Sequence, residues 1–152
     1  MNASDPIVIA SDHGGFALKS KVARLLQDEL GVEVRDLGTF SDESVDYPDY
    51  GSQVAKAVAS GEADRGILIC GTGIGMSIIA NKFPGVRAAL CHNTQTAQLS
   101  REHNDANILV MGERVLGEAV ALDIVRTWFG TDFDGGRHQR RIDKIHQLEE
   151  HE

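Results

Sequence analysis

The chain has little of the material that several classes of protein require. Its 152 residues include only two cysteines, Cys70 and Cys91, too few for the disulfide framework of a small secreted domain. No apolar run approaches the roughly 20 residues of a membrane-spanning helix. The first residues also lack the charged and apolar regions of a signal peptide. We therefore expect a cytoplasmic protein with reduced thiols.

The chain also lacks an excess of basic residues. Its 23 acidic and 15 basic residues give a formal net charge of -8 and a pI near 5.2. This balance argues against nucleic acid as a partner, so any phosphate site must be built locally from a few cations. The length and the 41% share of hydrophobic residues fit a single domain over 1–152, and no internal repeat is visible.

Strands and helices alternate along the sequence. Apolar runs predict strands at Ile7–Ser11, 32–36, 67–69, 86–90 and 108–111. Helical spacing predicts helices at 16–30, 50–60, Thr94–Glu102 and 119–129, a loop at 38–49 and a last polar helix at 136–149. This alternation predicts an α/β fold, a three-layer Rossmann-like sandwich around a five-stranded parallel sheet of order 2-1-3-4-5. In that order, residues 11–13 and 70–72 lie side by side where such folds bind ligands.

The segment 66–82, GILICGTGIGMSIIANK, carries the strongest chemical signal. A buried strand ends in Cys70, and Gly71, Gly73 and Gly75 follow before the next helix. Glycines allow positive φ and close backbone approach, so several N–H groups can converge on one anion. Clustered N–H groups can lower the pKa of a thiol from its ordinary value of about 8.5. We interpret the segment as an anion-binding catalytic loop.

Two better-known glycine loops do not fit this segment. The nucleotide triphosphatase loop needs a lysine before a hydroxyl residue at the start of the helix, and none is present. The dinucleotide fingerprint needs a glycine where Met76 stands, and the next strand ends without an acid for a ribose hydroxyl. Two plain alternatives stay open. The glycines make a tight turn and nothing more, or Cys70 is a small buried hydrophobe.

Six motifs follow one another along nearly the whole chain. They are SDHGGFALK at 11–19, DYPDY at 46–50, CGTGIGMSIIANK at 70–82, SREHNDAN at 100–107, GERV at 112–115 and GGRHQRR at 135–141. In these motifs the chain resembles the type B ribose-5-phosphate isomerases, within a broader family that includes galactose-6-phosphate isomerase subunits. One branch of the family lacks the cysteine and has a glutamate at the place of Met76, so this chain resembles the cysteine branch.

The resemblance implies a reaction and an assembly. The reaction interconverts ribose 5-phosphate and ribulose 5-phosphate by moving a proton between C1 and C2 through an enediol, with no metal or other cofactor. The assembly is a homodimer or homotetramer whose active sites are shared between subunits. The implied partner is a small sugar phosphate, with neither nucleic acid nor membrane.

The resemblance also assigns roles to residues. Cys70 is the proton acceptor, and the sugar oxygens are held by the loop residues Gly71, Thr72, Gly73, Ile74 and Gly75. His103 is the proton donor that opens the furanose ring, while Asn104, Asp12 and His13 contact the substrate. An ordinary histidine pKa near 6.5 suits proton passage in both directions. The alternative for His103 is a charge that complements the dipole at a helix C-terminus.

The phosphate is expected to bind arginines. Arg137 and Arg141 are four residues apart, so on a helix they share one face and can grip a phosphate together. The resemblance adds Arg114 and implicates His13. The alternative is a solvated basic face whose charges balance nearby acids.

Other functions stay open at this point. A nucleotide- or phosphate-binding regulatory module would use the same loop without Cys70 or His103, and a non-catalytic assembly subunit would need a second, related chain. Allose 6-phosphate, galactose 6-phosphate and tetrose phosphates also stay open as substrates, because the enediol chemistry is the same for all of them. Cys91 and His92 lack a third ligand at zinc spacing, so we expect no metal site there.

Overall fold

A five-stranded parallel sheet forms the centre of the structure, a computed structural model that describes residues 6–150. The strands are β1 (Ile7–Ser11), β2 (Val34–Asp36), β3 (Gly66–Cys70), β4 (Ala88–Leu90) and β5 (Ile108–Gly112). The helices are α1 (Phe16–Asp28), α2 (Tyr47–Ala59), α3 (Ile74–Ala80), α4 (Thr94–Glu102), α5 (Glu118–Phe129) and α6 (Arg137–Glu150). The predicted α/β class is confirmed. None of the helices in this range combines the length and apolarity that crossing a membrane requires.

The three central strands, β1, β3 and β5, are buried along their whole length. On β3, Ile67 and Ile69 pack on the side of α1, α4 and α5, whereas Leu68 and Cys70 pack on the side of α2 and α3. A strand covered on both faces needs apolar residues in a continuous run rather than in alternation. The sequence GILIC therefore folds as the middle strand of a three-layer sandwich, with the Cys70 side chain toward the α2 and α3 layer.

The strand order 2-1-3-4-5 expected from the sequence is wrong at one edge. The observed order is β2-β1-β3-β5-β4, so β5 pairs with β3 and β4 forms the edge. β5 contributes the buried run ILVM, whereas the three residues AAL of β4 are only half-buried. The strand with the larger apolar side chains takes the central place because burial on both faces removes more apolar area from water.

The start of α2 also differs from expectation. The helix begins at Tyr47 rather than residue 50, so the predicted loop 38–49 is shorter. Pro48 lies in the first turn, where its missing N–H leaves no hydrogen bond unmade. The earlier start brings the Tyr47 ring against Gly75 of the glycine loop. The other predicted helix and strand bounds differ from the observed ones by at most two residues.

Asn81 covers part of the open edge of β4. Its side-chain amide nitrogen donates to the carbonyl of Ala88 at 3.0 Å, and its side-chain carbonyl accepts the N–H of Ala88 at 2.9 Å. A neighbouring strand would make the same two kinds of bond. A side chain from the end of α3 therefore takes the place of a sixth strand at this position.

The strand order predicts unequal costs for two leucine truncations. Leu109→Ala removes a fully buried side chain from β5 and is expected to cost about 2–5 kcal/mol. Leu90→Ala in the half-buried edge strand should cost clearly less, because that site already contacts solvent. Urea unfolding of both variants at one protein concentration measures the difference. Equal losses would contradict the central placement of β5.

Candidate active site

The carboxyl ends of β1 and β3 bring Asp12 next to the glycine loop. The N–H of Asp12 donates to the carbonyl of Ile69 at 3.3 Å. The Asp12 carboxylate accepts the N–H of Gly14 at 2.9 Å, which caps the short 3₁₀ turn His13–Gly15. A Cβ atom on Gly14 would lie only 3.3 Å from the nitrogen of Gly71. The expected contact between these two strand ends is confirmed.

Cys70 ends β3 with 5% of its surface exposed, and the glycine loop curls around its sulfur. The N–H of Gly73 donates to Cys70 Sγ at 3.2 Å. Gly73 has a φ of 82°, a left-handed conformation that strains residues with side chains. At the start of α3, Thr72 Oγ1 accepts the N–H of Ile74 at 3.2 Å. An N–H directed at sulfur stabilises negative charge on that atom.

Arg114 reaches the glycine loop because β5 lies beside β3. Its N–H donates to the carbonyl of Gly71 at 2.9 Å. Its guanidinium Nε lies 3.5 Å from the place that a Cβ atom on Gly71 would take. The approach requires glycine at the end of β5, since a Cβ atom on Gly112 would lie 2.4 Å from the carbonyl carbon of Thr72. The observed strand order therefore supplies a cation to the crevice.

Glu113 anchors the segment that carries Arg114. Its N–H donates to the carbonyl of Cys70 at 2.9 Å, and its carboxylate Oε1 accepts the N–H of Leu18 at 2.6 Å. Leu18 lies in the first turn of α1, where backbone N–H groups have no partner within the helix. Sequence reasoning missed this residue. The sequence feature that could have identified Glu113 is its position directly before Arg114, an expected phosphate ligand.

His13 has a defined tautomer in its neutral form. The N–H of Val45 donates to His13 Nδ1 at 3.1 Å, so Nδ1 is the acceptor. The neutral ring then carries its proton on Nε2, as assigned from this hydrogen bond. His13 is half-buried, and its Nε2–H is the donor available to a ligand. Sequence reasoning did not anticipate the contact with Val45.

Lys19 ties the loop after β2 to α1. Its side chain is fully buried, and Nζ donates to Asp36 Oδ1 and to the carbonyl of Thr39, both at 2.6 Å. A buried ammonium is stable only when it is paired and hydrogen-bonded, as it is here. The loop leads from Thr39 to Val45, so this anchor supports the N–H that orients His13. The signal was a lysine within the inward stripe that includes Val22.

His103 and Asn104 lie at the other end of the strands, the edge of the sheet at which the parallel strands begin. α4 starts beyond the carboxyl end of β4 and runs back along the sheet, and His103 is its C-cap. A few residues later, the carbonyl of Asn107 accepts the N–H of Gly66, the first residue of β3, at 2.9 Å. At a rise of about 3.3 Å per residue, β3 separates this edge from Cys70 by roughly 13 Å.

Arg137 and Arg141 belong with His103. The rings of His103 and His138 are stacked, with centroids 4.2 Å apart and planes 12° apart. Burial lowers the pKa of His138, and the nearby His103, Arg137 and Arg141 lower it further, whereas Asp134 raises it. Both arginines are exposed on α6. The predicted pairing of the two arginines on one helix is confirmed, and their neighbour is His138, to which sequence reasoning gave no role.

The His103, Asp134 and His138 side chains bring one donor atom each within 4.8 Å of one another. Two stacked imidazoles direct their nitrogen lone pairs in separate, nearly parallel planes. One ion at the usual Zn–N distance of about 2.0–2.1 Å would have to lie in both planes. The arrangement therefore does not suit a metal ion.

The expected site residues form two groups. The carboxyl-edge group comprises Asp12, His13, Cys70, Arg114 and the loop residues Gly71, Thr72, Gly73, Ile74 and Gly75. The amino-edge group comprises His103, Asn104, Arg137 and Arg141. One chain does not bring the two groups together.

Comparisons with known proteins identify relatives over nearly the whole chain. A family model described as Ribose/Galactose Isomerase matches residues 7–145. Ribose-5-phosphate isomerase B of Escherichia coli (strain K12) is 54% identical over 144 residues, which cover 95% of this chain and 96% of the relative.

Two solved structures have the same fold. Ribose-5-phosphate isomerase B of Clostridium thermocellum has a TM-score of 0.93 and 59% sequence identity, covering 95% of this chain and 97% of the other. Ribose-5-phosphate isomerase B of Mycoplasma genitalium, solved with bound ribulose-5-phosphate, has a TM-score of 0.91 and 44% identity, covering 95% and 96%. The chain belongs to the ribose/galactose isomerase family.

Proposed function

We propose that this chain interconverts D-ribose 5-phosphate and D-ribulose 5-phosphate through an enediol intermediate. The observation that carries the proposal is the Gly73 N–H directed at Cys70 Sγ, beside Asp12 and Arg114. Aldose–ketose isomerisation requires a base next to a carbon acid and donors for the oxygen that becomes negative. Membership of the ribose/galactose isomerase family supports the same reaction.

Cys70 acts as the base on the open-chain sugar. Its thiolate takes the proton from C2 of the aldose, and the C–H electron pair forms the C1–C2 double bond as negative charge moves to O1. The hydroxyl proton of O2 passes to O1, and the thiol returns its proton to C1 to give the ketose. The backbone N–H groups of loop 71–75 and the Thr72 hydroxyl hold the sugar oxygens during these steps.

His103 opens the ring before isomerisation. Ribose 5-phosphate closes to a furanose when its 4-hydroxyl adds to C1, so ring opening breaks the C1–O4 bond, adds a proton to O4 and removes the proton of the anomeric hydroxyl O1. His103 donates the proton to O4 and takes up the proton that O1 releases, a relay that an imidazole can run in both directions. Asn104 holds a sugar hydroxyl.

The two groups meet between two copies of the chain. The amino-edge group of one copy faces the carboxyl-edge group of the other, so a homodimer contains two complete sites. The exposed apolar surface beside the glycine loop supports this assembly. Ile74 and Ile78 lie one turn apart on α3 and are each 55% exposed, and Val115 is 53% exposed. Apolar surface grouped in this way is typical of a protein contact.

The phosphate lies where cations of both copies converge. Arg114 and the His13 Nε2–H come from one copy, and Arg137 and Arg141 come from the other. Guanidinium groups bind phosphate oxygens in pairs, so the cluster orients the far end of the sugar while the loop holds the reacting end.

Two substitutions are expected to separate ring opening from proton transfer. Cys70→Ala should reduce turnover of ribose 5-phosphate about 100- to 10,000-fold and abolish deuterium exchange from D₂O into C1 of ribulose 5-phosphate. His103→Asn should also lose turnover but keep the exchange, because ribulose 5-phosphate has no furanose form. Rate assays and NMR measure the two readouts.

Cys91→Ala is the matched control for this pair of variants. Cys91 is 1% exposed and lies outside both groups, and burial raises the pKa of its thiol, so it is not a base at neutral pH. Activity close to that of the unchanged protein is expected. If the Cys70→Ala variant kept the full rate of deuterium exchange into C1, Cys70 would not be the base.

Mixing two inactive variants tests whether the site is shared. When Cys70→Ala and His103→Asn subunits are unfolded, mixed and refolded together, half of the random dimers are heterodimers. In each of these, one of the two sites contains both Cys70 and His103. Turnover should return to about a quarter of that of the unchanged protein. If both residues served the same site from one chain, mixing would restore nothing.

A kinetic panel tests the substrate. Ribose 5-phosphate is expected to have the highest kcat/KM when compared with allose 6-phosphate, galactose 6-phosphate and erythrose 4-phosphate. Another sugar with a value at least tenfold higher, a difference of about 1.4 kcal/mol in transition-state binding, would replace the assignment. No turnover of any of them would favour a phosphate-binding module.

A further inference from the structure

A second polar pocket lies at the amino-terminal edge of the sheet, away from Cys70. Its volume is about 350 Å³, and we call it the Arg65 pocket. Charged side chains line most of it: Arg65, Arg87, Arg101, Asp64, Asp105 and Asp132. Arg65 directly precedes β3, and Arg101 and Asp105 bracket the turn that carries His103. No residue of the proposed catalytic groups lines this pocket.

Arg65 is the unusual member of the pocket. Only 7% of its surface is exposed, and its guanidinium lies over the rings of Trp128 and Phe129, 5.3 and 5.9 Å from their centroids. Its Nη1 is buried and has no hydrogen-bond partner anywhere in residues 6–150. Burial, followed by the nearby Arg101, lowers the pKa of Arg65 to about 10, so the group is still a cation at neutral pH.

Trp128 also has a buried hydrogen-bond donor without an acceptor in the described residues. The donor is its Nε1–H, and the side chain is fully buried. Buried donors are nearly always paired, because an unsatisfied one keeps the full cost of losing water. Here two such donors belong to side chains that stack on each other. Arg65 lines the pocket and Trp128 does not, so an acceptor-rich group bound there would relieve Arg65 and change the surroundings of the Trp128 ring.

The other two arginines already have their partners. Arg101 donates to Asp105 Oδ1 at 2.8 Å and to the carbonyl of Ala106 at 2.7 Å. Arg87 donates to the carbonyls of Asn104 and Asp105 at 3.1 and 3.0 Å. Both arginines are therefore held by the protein itself.

The carboxylates of the pocket leave Arg65 open to a ligand. Asp105 is engaged by Arg87 and Arg101. Asp64 and Asp132 are exposed and raise the pKa of Arg65 only through space. Their negative charge also opposes an incoming anion, so we expect weak binding.

We propose that the Arg65 pocket binds a small phosphate-bearing anion, either inorganic phosphate or a phosphate monoester, with Arg65 as its main contact. A tetrahedral oxyanion offers acceptor oxygens in several directions, so it can serve a guanidinium and a second donor at once. A carboxylate offers two oxygens in one plane. The volume falls within the range of known small-molecule sites. The proposal does not depend on the catalytic role of Cys70.

Trp128 supplies the readout, since it is the only tryptophan of the chain. Titration of the unchanged protein with inorganic phosphate, and separately with glycerol 3-phosphate, should give a saturable change in its fluorescence at constant ionic strength. Arg65→Met keeps the apolar stem over Trp128 but removes the charge, and should weaken the apparent affinity at least tenfold. Arg114→Met, which alters the proposed catalytic phosphate site, should leave this titration unchanged.

A variant that is expected to tighten binding keeps the test decisive if Arg65→Met does not fold. Asp132→Asn removes an exposed opposing charge and should tighten phosphate binding about threefold or more. Three results would overturn the proposal. Phosphate changes the fluorescence no more than chloride does at the same ionic strength, Arg65→Met gives the same titration as the unchanged protein, or Asp132→Asn leaves the affinity for phosphate unchanged. Equal binding of succinate would also overturn the preference for phosphate.

Discussion

The pairing of β5 with β3 is the constraint on which the carboxyl-edge group depends. In this register Cys70 lies opposite Gly112, and the absence of a side chain at Gly112 lets the end of β5 touch the glycine loop. Arg114 and Glu113 follow at once, the first as a cation beside the loop and the second as an anchor to α1. Had β4 taken the place beside β3, the segment after β4 would lie beside the glycine loop in place of Glu113 and Arg114.

The candidate site residues lie at opposite ends of the parallel strands, and this has two consequences for the proposed function. In the proposed mechanism, a monomer holds its base and its ring-opening acid at opposite ends of β3, so the mechanism requires two copies of the chain to associate. The same separation keeps the Cys70 thiol away from the His103 ring of its own chain. Cys70 is the last residue of β3 and His103 is the C-cap of α4, so an element of regular secondary structure positions each of them.

Periodicity and strand ends were enough to predict the α/β class, the meeting of Asp12 with the glycine loop, and the placement of Arg137 and Arg141 on one helix, α6. The predicted strand order was wrong because the choice between β4 and β5 for the central place depends on how much apolar surface each strand buries. The larger apolar residues ILVM of β5, compared with AAL of β4, did favour β5 for that place. Lys19 and Val45 were missed since their effects pass through a loop whose path only the folded chain reveals. No local pattern marks the stacking of His138 on His103.

The side chain of Asn81 has a consequence for solubility. An open edge strand is a template on which further chains can add and grow into aggregates. The Asn81 side chain occupies the N–H and carbonyl of Ala88. It therefore blocks one of the few backbone positions at which another strand could pair with the short strand β4. Growth of one sheet into another is thereby discouraged.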